Sequence, residues 1–258
     1  MGYDPSVLHV LTRELQSLPQ GAGILELGAQ DLNPGLSETD VLSCSIAAHP
    51  DDSEAARAAA NEYNPARPLP VSSLFLRSSF RYRCIDLMEG PLTLKVDLNT
   101  YRVPDEDRGS FQLITNFGTS EHVTDQINTF RVIHDFAAVG ALFIHSVPCT
   151  GYFNHGLFSY NPVFFVFLAN ANDYEIEGMG LSPPHLPFTM PKTPGLSRPA
   201  KWDGLIIQSS MLTCRLRKRR DHQFRLFTDF DQAAMERLPL SEPWASMVRD
   251  RYQLQVDR

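Results

Sequence analysis

The residues of this chain whose types and spacing could do chemistry sit, one group after another, where short apolar runs stop. "GILELGAQDLN" (23–33) ends its run with Glu26 and Gly28, and "YRCIDL" (82–87) ends with Asp86 and Leu87. "LTLKVDLN" (92–99) ends with Asp97, Leu98 and Asn99, "FQLITNFG" (111–118) with Asn116, Phe117 and Gly118, and "ALFIHSVP" (141–148) carries His145 and Ser146 near its end. Taken singly, an Asp or Asn at such a place is a turn residue or a helix cap. Five successive strand ends that present acids, amides or an imidazole imply more, because ligands of a parallel α/β sheet bind outside the carboxyl ends of its strands. His122, His145 and His155 add three candidate bases, imidazole being the side chain whose ordinary pKa lies near neutrality. The pair Glu121 and His122 supplies too few oxygen ligands for magnesium, and no metal is expected.

These residues need elements to position them. Val7, Leu8, Leu11, Leu15 and Leu18 recur at helical spacing until Pro19 and Gly21, which predicts an N-terminal helix within residues 1–20. The stretch 30–81 is broken by Pro34, Pro50, Pro65, Pro68 and Pro70 and contains one clear helical piece, "DDSEAARAAANEY". It reads as an insertion after the first strand that covers the ligand pocket. "SEHVTDQINTFRVIHDFAAVG" reads as a helix capped by Ser120 and ended by Gly140, and "YNPVFFVFLANAN" as a second one with Asn161 at the cap and Pro162 in the first turn. "DYEIEGM" and the long "GLIIQSSMLTCRLRK" close the pattern as strands, and the basic run "RLRKRR" reads as solvated charge. Strands alternating with helices give an α/β fold: a Rossmann-like, mostly parallel sheet flanked by helices, with an antiparallel last strand. One domain spans 1–258, with 221–258 as a C-terminal appendage.

The 258 residues suffice for a sizeable core, and 43% hydrophobic and 21% charged residues are ordinary for a globular protein. A net charge of −7 argues against a polyanionic partner, so nucleic acid is not expected as the substrate. Cys44, Cys84, Cys149 and Cys214 form no CxxC pair, which fits reduced thiols in a cytoplasmic protein. No apolar run approaches the length that spans a bilayer, so no membrane partner is expected.

From Gly23 to about Met179 the chain resembles the class I S-adenosylmethionine-dependent methyltransferases. Phe111 to Ile114 stand where that family has an "FDLV" strand, Glu121 to Val123 where it has "EHV", and Gly140 to Pro148 where a "GG" strand ends in Pro. "ELG" matches the first half of its "DxGxGxG" loop, while Ala29 and Asp31 stand where small or glycine residues are usual. The resemblance implies that S-adenosylmethionine is the cofactor, with Glu26 and Gly28 at its loop and Asp86, beside Leu87, on the ribose hydroxyls. It further implies Asp97 and Leu98 at the adenine edge and Asn116, Phe117 and Gly118 along the methionyl part. The expected reaction is methylation of a small-molecule acceptor, O-methylation first, with His155, His145 or His122 assisting deprotonation. A nicotinamide-dependent oxidoreductase would use the same sheet but needs a three-glycine loop of which only Gly28 is present. A non-catalytic binding protein that kept the fold while "GAQD" diverged is the other alternative.

Overall fold

The structure, a computed structural model, describes residues 2–152, 155–181, 185–189 and 206–228. In chain order the elements are α1 (Pro5–Ser17), β1 (Gly23–Leu27), β2 (Asp31–Leu32), α2 (Glu38–Ala48), α3 (Ser53–Ala60), β3 (Leu69–Pro70), β4 (Arg81–Asp86), β5 (Thr93–Lys95) and β6 (Phe111–Phe117). They continue with α4 (Gln126–Phe136), β7 (Ala137–Thr150), α5 (Pro162–Ala171), β8 (Tyr174–Leu181), β9 (His185–Thr189) and β10 (Ile206–Lys218). The main sheet runs β5-β4-β1-β6-β7-β10-β8, and β9 pairs with β10 off that path. Strands β5, β4, β1, β6 and β7 are parallel, whereas β10 lies antiparallel between β7 and β8. This is the fold class the alternating pattern predicts; the antiparallel last strand sits inside the sheet rather than at its edge.

The period-2 alternation of the strands divides their side chains between two cores. Ile24, Leu113 and Ile144 join α1, α2 and the short turn of 3-10 helix Val71–Phe75 on one face. Leu25, Leu27, Ile114 and Phe143 join α4 and α5 on the other. The same parity decides the polar residues: Glu26 enters the first core with Ile24, while Asn116 and His145 enter the second with Ile114 and Phe143.

Four expectations are corrected here. Stretch 30–81 holds two helices, α2 being the one its mixed sequence concealed, and Val41, Cys44, Ala48, Leu74 and Phe75 are core residues beneath the first face. The segment is therefore a structural layer of the sheet at these positions. Ser120 does not cap a long helix: residues Ser120–His122 form a separate 3-10 turn, and α4 starts later, with Asp125 accepting from the Asn128 N–H at 2.8 Å. Nor does Gly140 end α4, which stops at Phe136; with φ +86° it sits in a bulge of β7. The basic run is not free surface charge. Arg215 pairs with Glu14 at 2.8 Å, Arg217 pairs with Glu177, and Lys218, 2% exposed, donates to the carbonyls of His134 and Ala137, closing the end of α4. Of the expected C-terminal appendage, residues 229–258 lie outside the described residues.

The loop after β5 is held from behind by one amide. Asn128 Nδ2 donates to the carbonyls of Leu98 (2.7 Å) and Tyr101 (3.0 Å), and its Oδ1 accepts from Arg102 and Arg131. The side chain is fully buried, so its removal strands two carbonyls. Asn128→Ala is expected to lower unfolding free energy by about 1–3 kcal/mol in urea titration. A change under about 0.5 kcal/mol, as at an unremarkable surface site, would refute this role.

Candidate active site

At the carboxyl ends of β1 and β4 the backbone turns over Gly28, whose φ of +75° and close neighbours exclude any side chain. A Cβ there would lie 2.4 Å from Thr119 Oγ1 and 2.8 Å from Gln30 Nε2. All three N–H groups of this loop have acceptors within the protein. Gly28 N–H donates to the Ile85 carbonyl at 2.7 Å, Ala29 N–H to Asp86 Oδ2 at 2.8 Å, and Gln30 N–H to Glu26 Oε2 at 3.3 Å. Thr119 ties the opposite wall to the same turn, donating to the Leu27 carbonyl at 2.6 Å.

Glu26 does not reach the cleft. It lies 1% exposed under the loop, where the Tyr3 and Tyr82 hydroxyls donate to its two oxygens at 2.7 and 2.5 Å. Burial pushes its carboxyl up to about 7, against the lowering effect of these hydrogen bonds. Asp86 is partly exposed. Besides the Ala29 N–H, it accepts from Met88 N–H at 2.8 Å through Oδ1, and each oxygen keeps a second lone pair.

A cleft of about 300 Å³ opens in front of this loop. Gly28, Asp86, Leu87, Asp97, Leu98, Gly118 and His122 line it, all of them expected from the sequence. Asn99, at the end of its apolar run, lines it as well; Ala29, Gln30, Ile85, Val96, Thr119 and Val123 line it too and were not anticipated, because residues between motifs carry no pattern of their own. Glu26, Asn116 and Phe117 stand behind the wall. Phe117 packs edge-on against Tyr3, and Asn116, fully buried, builds the turn that follows it. Its Oδ1 accepts from Ser120 N–H at 3.1 Å, which fixes the amide so that Nδ2 donates to Ser120 Oγ (2.8 Å) and His145 Nδ1 (3.2 Å). The Tyr160 hydroxyl lies 2.7 Å from the same Ser120 Oγ and donates to Gln126 Oε1.

The structure separates the three histidines. His145 is 1% exposed among Phe130, Phe143 and Phe165, and burial holds its pKa down at about 3. With Nδ1 accepting from Asn116, the ring is neutral and carries its proton on the buried Nε2, and His145 does not line the cleft. His122 and His155 meet instead: their rings are 4.9 Å apart and edge-to-face. Glu121 completes a cluster whose ligand atoms all lie within 4.8 Å of one another, with His155 Nε2 3.5 Å from Glu121 Oε1. Glu121 is 0% exposed, and burial pushes its carboxyl up to about 7. Partial desolvation lowers the pKa of both imidazoles from its ordinary value, which favours their neutral forms near pH 7.

Neither a family model nor a curated protein sequence matches the chain. Solved structures with a similar chain trace include a 1,6-didemethyltoxoflavin-N1-methyltransferase from Burkholderia thailandensis with bound 1,6-didemethyltoxoflavin and S-adenosylhomocysteine. It is 14% identical over 84% of this chain and 80% of its own, with a TM-score of 0.45. A 16S rRNA (adenine(1408)-N(1))-methyltransferase from Catenulisporales acidiphilia is 14% identical over 86% of this chain and 96% of its own, with a TM-score of 0.40. A SAM dependent methyltransferase from Aquifex aeolicus is 10% identical over 83% of this chain and 99% of its own, also at 0.40.

The carboxylate beneath the loop makes stability depend on pH. Glu26 has a pKa of about 7 when folded and 4.5 as a free side chain, so between these values the folded state holds the extra proton. Its contribution is complete below pH 4.5 and is lost as pH rises through 7. Wild-type protein should therefore lose up to about 3 kcal/mol from this group between pH 5 and 8, at roughly 1.4 kcal/mol per unit. Glu26→Gln should flatten that slope in urea titrations; an unchanged slope in the variant would contradict the assignment.

Proposed function

We propose that the chain is an S-adenosylmethionine-dependent methyltransferase that methylates a hydroxyl of a small-molecule acceptor. The reading rests on how the loop after β1 is satisfied. A pyrophosphate needs free backbone N–H groups facing it, and here the Gly28, Ala29 and Gln30 N–H groups are all committed, one of them to the Asp86 carboxylate. What the loop offers instead is a turn without a side chain beside a carboxylate that retains acceptor capacity. That suits a neutral adenosyl ribose with two vicinal hydroxyls.

S-adenosylmethionine, when bound, supplies a methyl group on a positively charged sulfur. Asp86 would hold its ribose, Gly28 would let it approach the loop, and Leu98 with Val96 would give an apolar bed for the base. Asp97 holds the rim: its Oδ1 accepts from the Asn99 backbone and side chain at 2.9 and 2.8 Å, and its carbonyl accepts from Tyr101. The acceptor would enter beside His122, the residue common to the cleft wall and the Glu121–His122–His155 cluster. Neutral imidazoles and a carboxyl poised near neutrality suit a hydroxyl, which must lose a proton to react, better than an amine with a free lone pair. His145 lies outside that cluster, so among the three histidines His122 and His155 carry the acceptor-side role.

Calorimetric titration with S-adenosylhomocysteine and, separately, with NAD tests the proposal. Wild-type protein should bind the adenosyl ligand in preference, and Asp86→Ala should weaken that binding by about 1.5–3 kcal/mol, the worth of hydrogen bonds to a charged group. NAD binding in the absence of any adenosyl binding would overturn it. Binding without turnover on any acceptor would leave the non-catalytic alternative.

A further inference from the structure

Glu121 presents an unusual problem for a buried acid. Both of its oxygens are enclosed and, among the described residues, neither has a hydrogen-bond partner; His155 Nε2, 3.5 Å away, has none either. A carboxylate in such a place is costly unless a cation meets it. No Lys or Arg pairs with Glu121 among the described residues, where its one ion-pair partner is the His155 imidazole. From Glu121, His122 and His155 together, we infer a site for one divalent transition-metal ion of the zinc type at the edge of the cleft.

The geometry fits such an ion in several ways. Donor atoms about 2.1 Å from a common ion stand roughly 3–4 Å from one another; the Glu121–His155 separation of 3.5 Å already lies in that range, and with all three ligand atoms within 4.8 Å of one another the exposed His122 side chain would close the remaining distance on the ion. Two neutral imidazoles and one carboxylate are a donor set for zinc and its neighbours in the first transition row. It is a poor set for magnesium or calcium, which want oxygen throughout. Three protein ligands leave coordination positions open for water or substrate.

The loops that carry the ligands are locked together before any ion arrives. The Glu121 carbonyl accepts from Leu157 N–H at 2.7 Å and from Phe158 N–H at 3.2 Å, so the chain just after His155 is fastened to the residue it must meet. Gly156, at φ +70°, passes so near that a Cβ would lie 2.7 Å from Glu121 Cγ. His122 belongs to both the cluster and the cleft wall, so the open positions adjoin the place proposed for the acceptor. With an ion bound, Glu121, His122 and His155 would serve as its ligands rather than as bases, and an acceptor hydroxyl at an open position would ionise closer to neutrality and release its proton to water. This last step alone rests on the methyltransferase reading; metal binding does not.

Protein stripped with EDTA and returned to buffer is titrated with Zn²⁺ in the absence of any adenosyl ligand, and Co²⁺ in its place reports the ligand set by visible absorption. One equivalent per chain is expected. Glu121→Gln and His122→Ala should each weaken Zn²⁺ binding by more than about 100-fold, the upper end of what loss of even an outer-shell partner costs. His9→Ala, an exposed histidine on α1, should bind as wild type. His122 is exposed, so its variant keeps the core intact and decides the matter if Glu121→Gln fails to fold. Less than a tenth of an equivalent on wild-type protein, or undiminished binding by folded His122→Ala, overturns the site. Because no adenosyl ligand is present, failure here leaves the cofactor proposal standing, and failure of cofactor binding leaves this one standing.

Discussion

Three consecutive backbone N–H groups after β1, each with an acceptor inside the protein, are the constraint on which the rest of the cleft depends. A sharp turn leaves such groups exposed, and an unpaired buried donor costs about 1–3 kcal/mol. The chain resolves this with the Ile85 carbonyl and two carboxylates from different sides of the loop, Glu26 from the core below and Asp86 from the neighbouring strand. Gly28 is then obligatory, since Thr119 and Gln30 occupy the space a side chain would need. The loop's shape, its lack of free donors and the acid at its mouth are one arrangement, and together they set what kind of ligand it can accept.

A second arrangement, built on the other face of the sheet, sets what happens at the far side of the cleft. Asn116 points into that core by strand parity, fixes Ser120 through its backbone and hydroxyl, and so orients the turn that aims Glu121 and His122. Tyr160 and Gln126 complete the network from α5's approach and from α4. His145 serves this network as a neutral acceptor among aromatic rings. The polar residues behind the wall thus do positioning work, while those in front remain available to ligands.

Much of this was legible from sequence. The strands around β1, β4 and β6 end where their apolar runs end, and Asn161 with Pro162 opens α5 as local capping physics requires. Asp86, Asp97 and Gly118 reach the cleft because strand ends point there regardless of tertiary detail. What was hidden depends on contacts across the chain. The parity that turns Glu26, Asn116 and His145 inward could be read only once the faces of each strand had been assigned to a core. The low amphipathicity of α2 concealed a helix that is buried by α1 and the sheet rather than by its own pattern. His155 and Glu121 are 34 residues apart by their numbers, and nothing in either neighbourhood announces that the loop after β7 folds back onto the turn after β6. Lys218 reads as surface charge until α4 is seen to end above it.

The central claim is that the cleft at the ends of β1 and β4 receives an adenosyl cofactor through Asp86. The most direct measurement is a crystal structure of the protein grown with S-adenosylhomocysteine. The account predicts that the ribose hydroxyls lie on the Asp86 carboxylate, with the ligand passing Gly28 and Gly118 and its sulfur turned toward His122. A ligand bound elsewhere on the protein, or one seated in the cleft with its ribose away from Asp86, would contradict it.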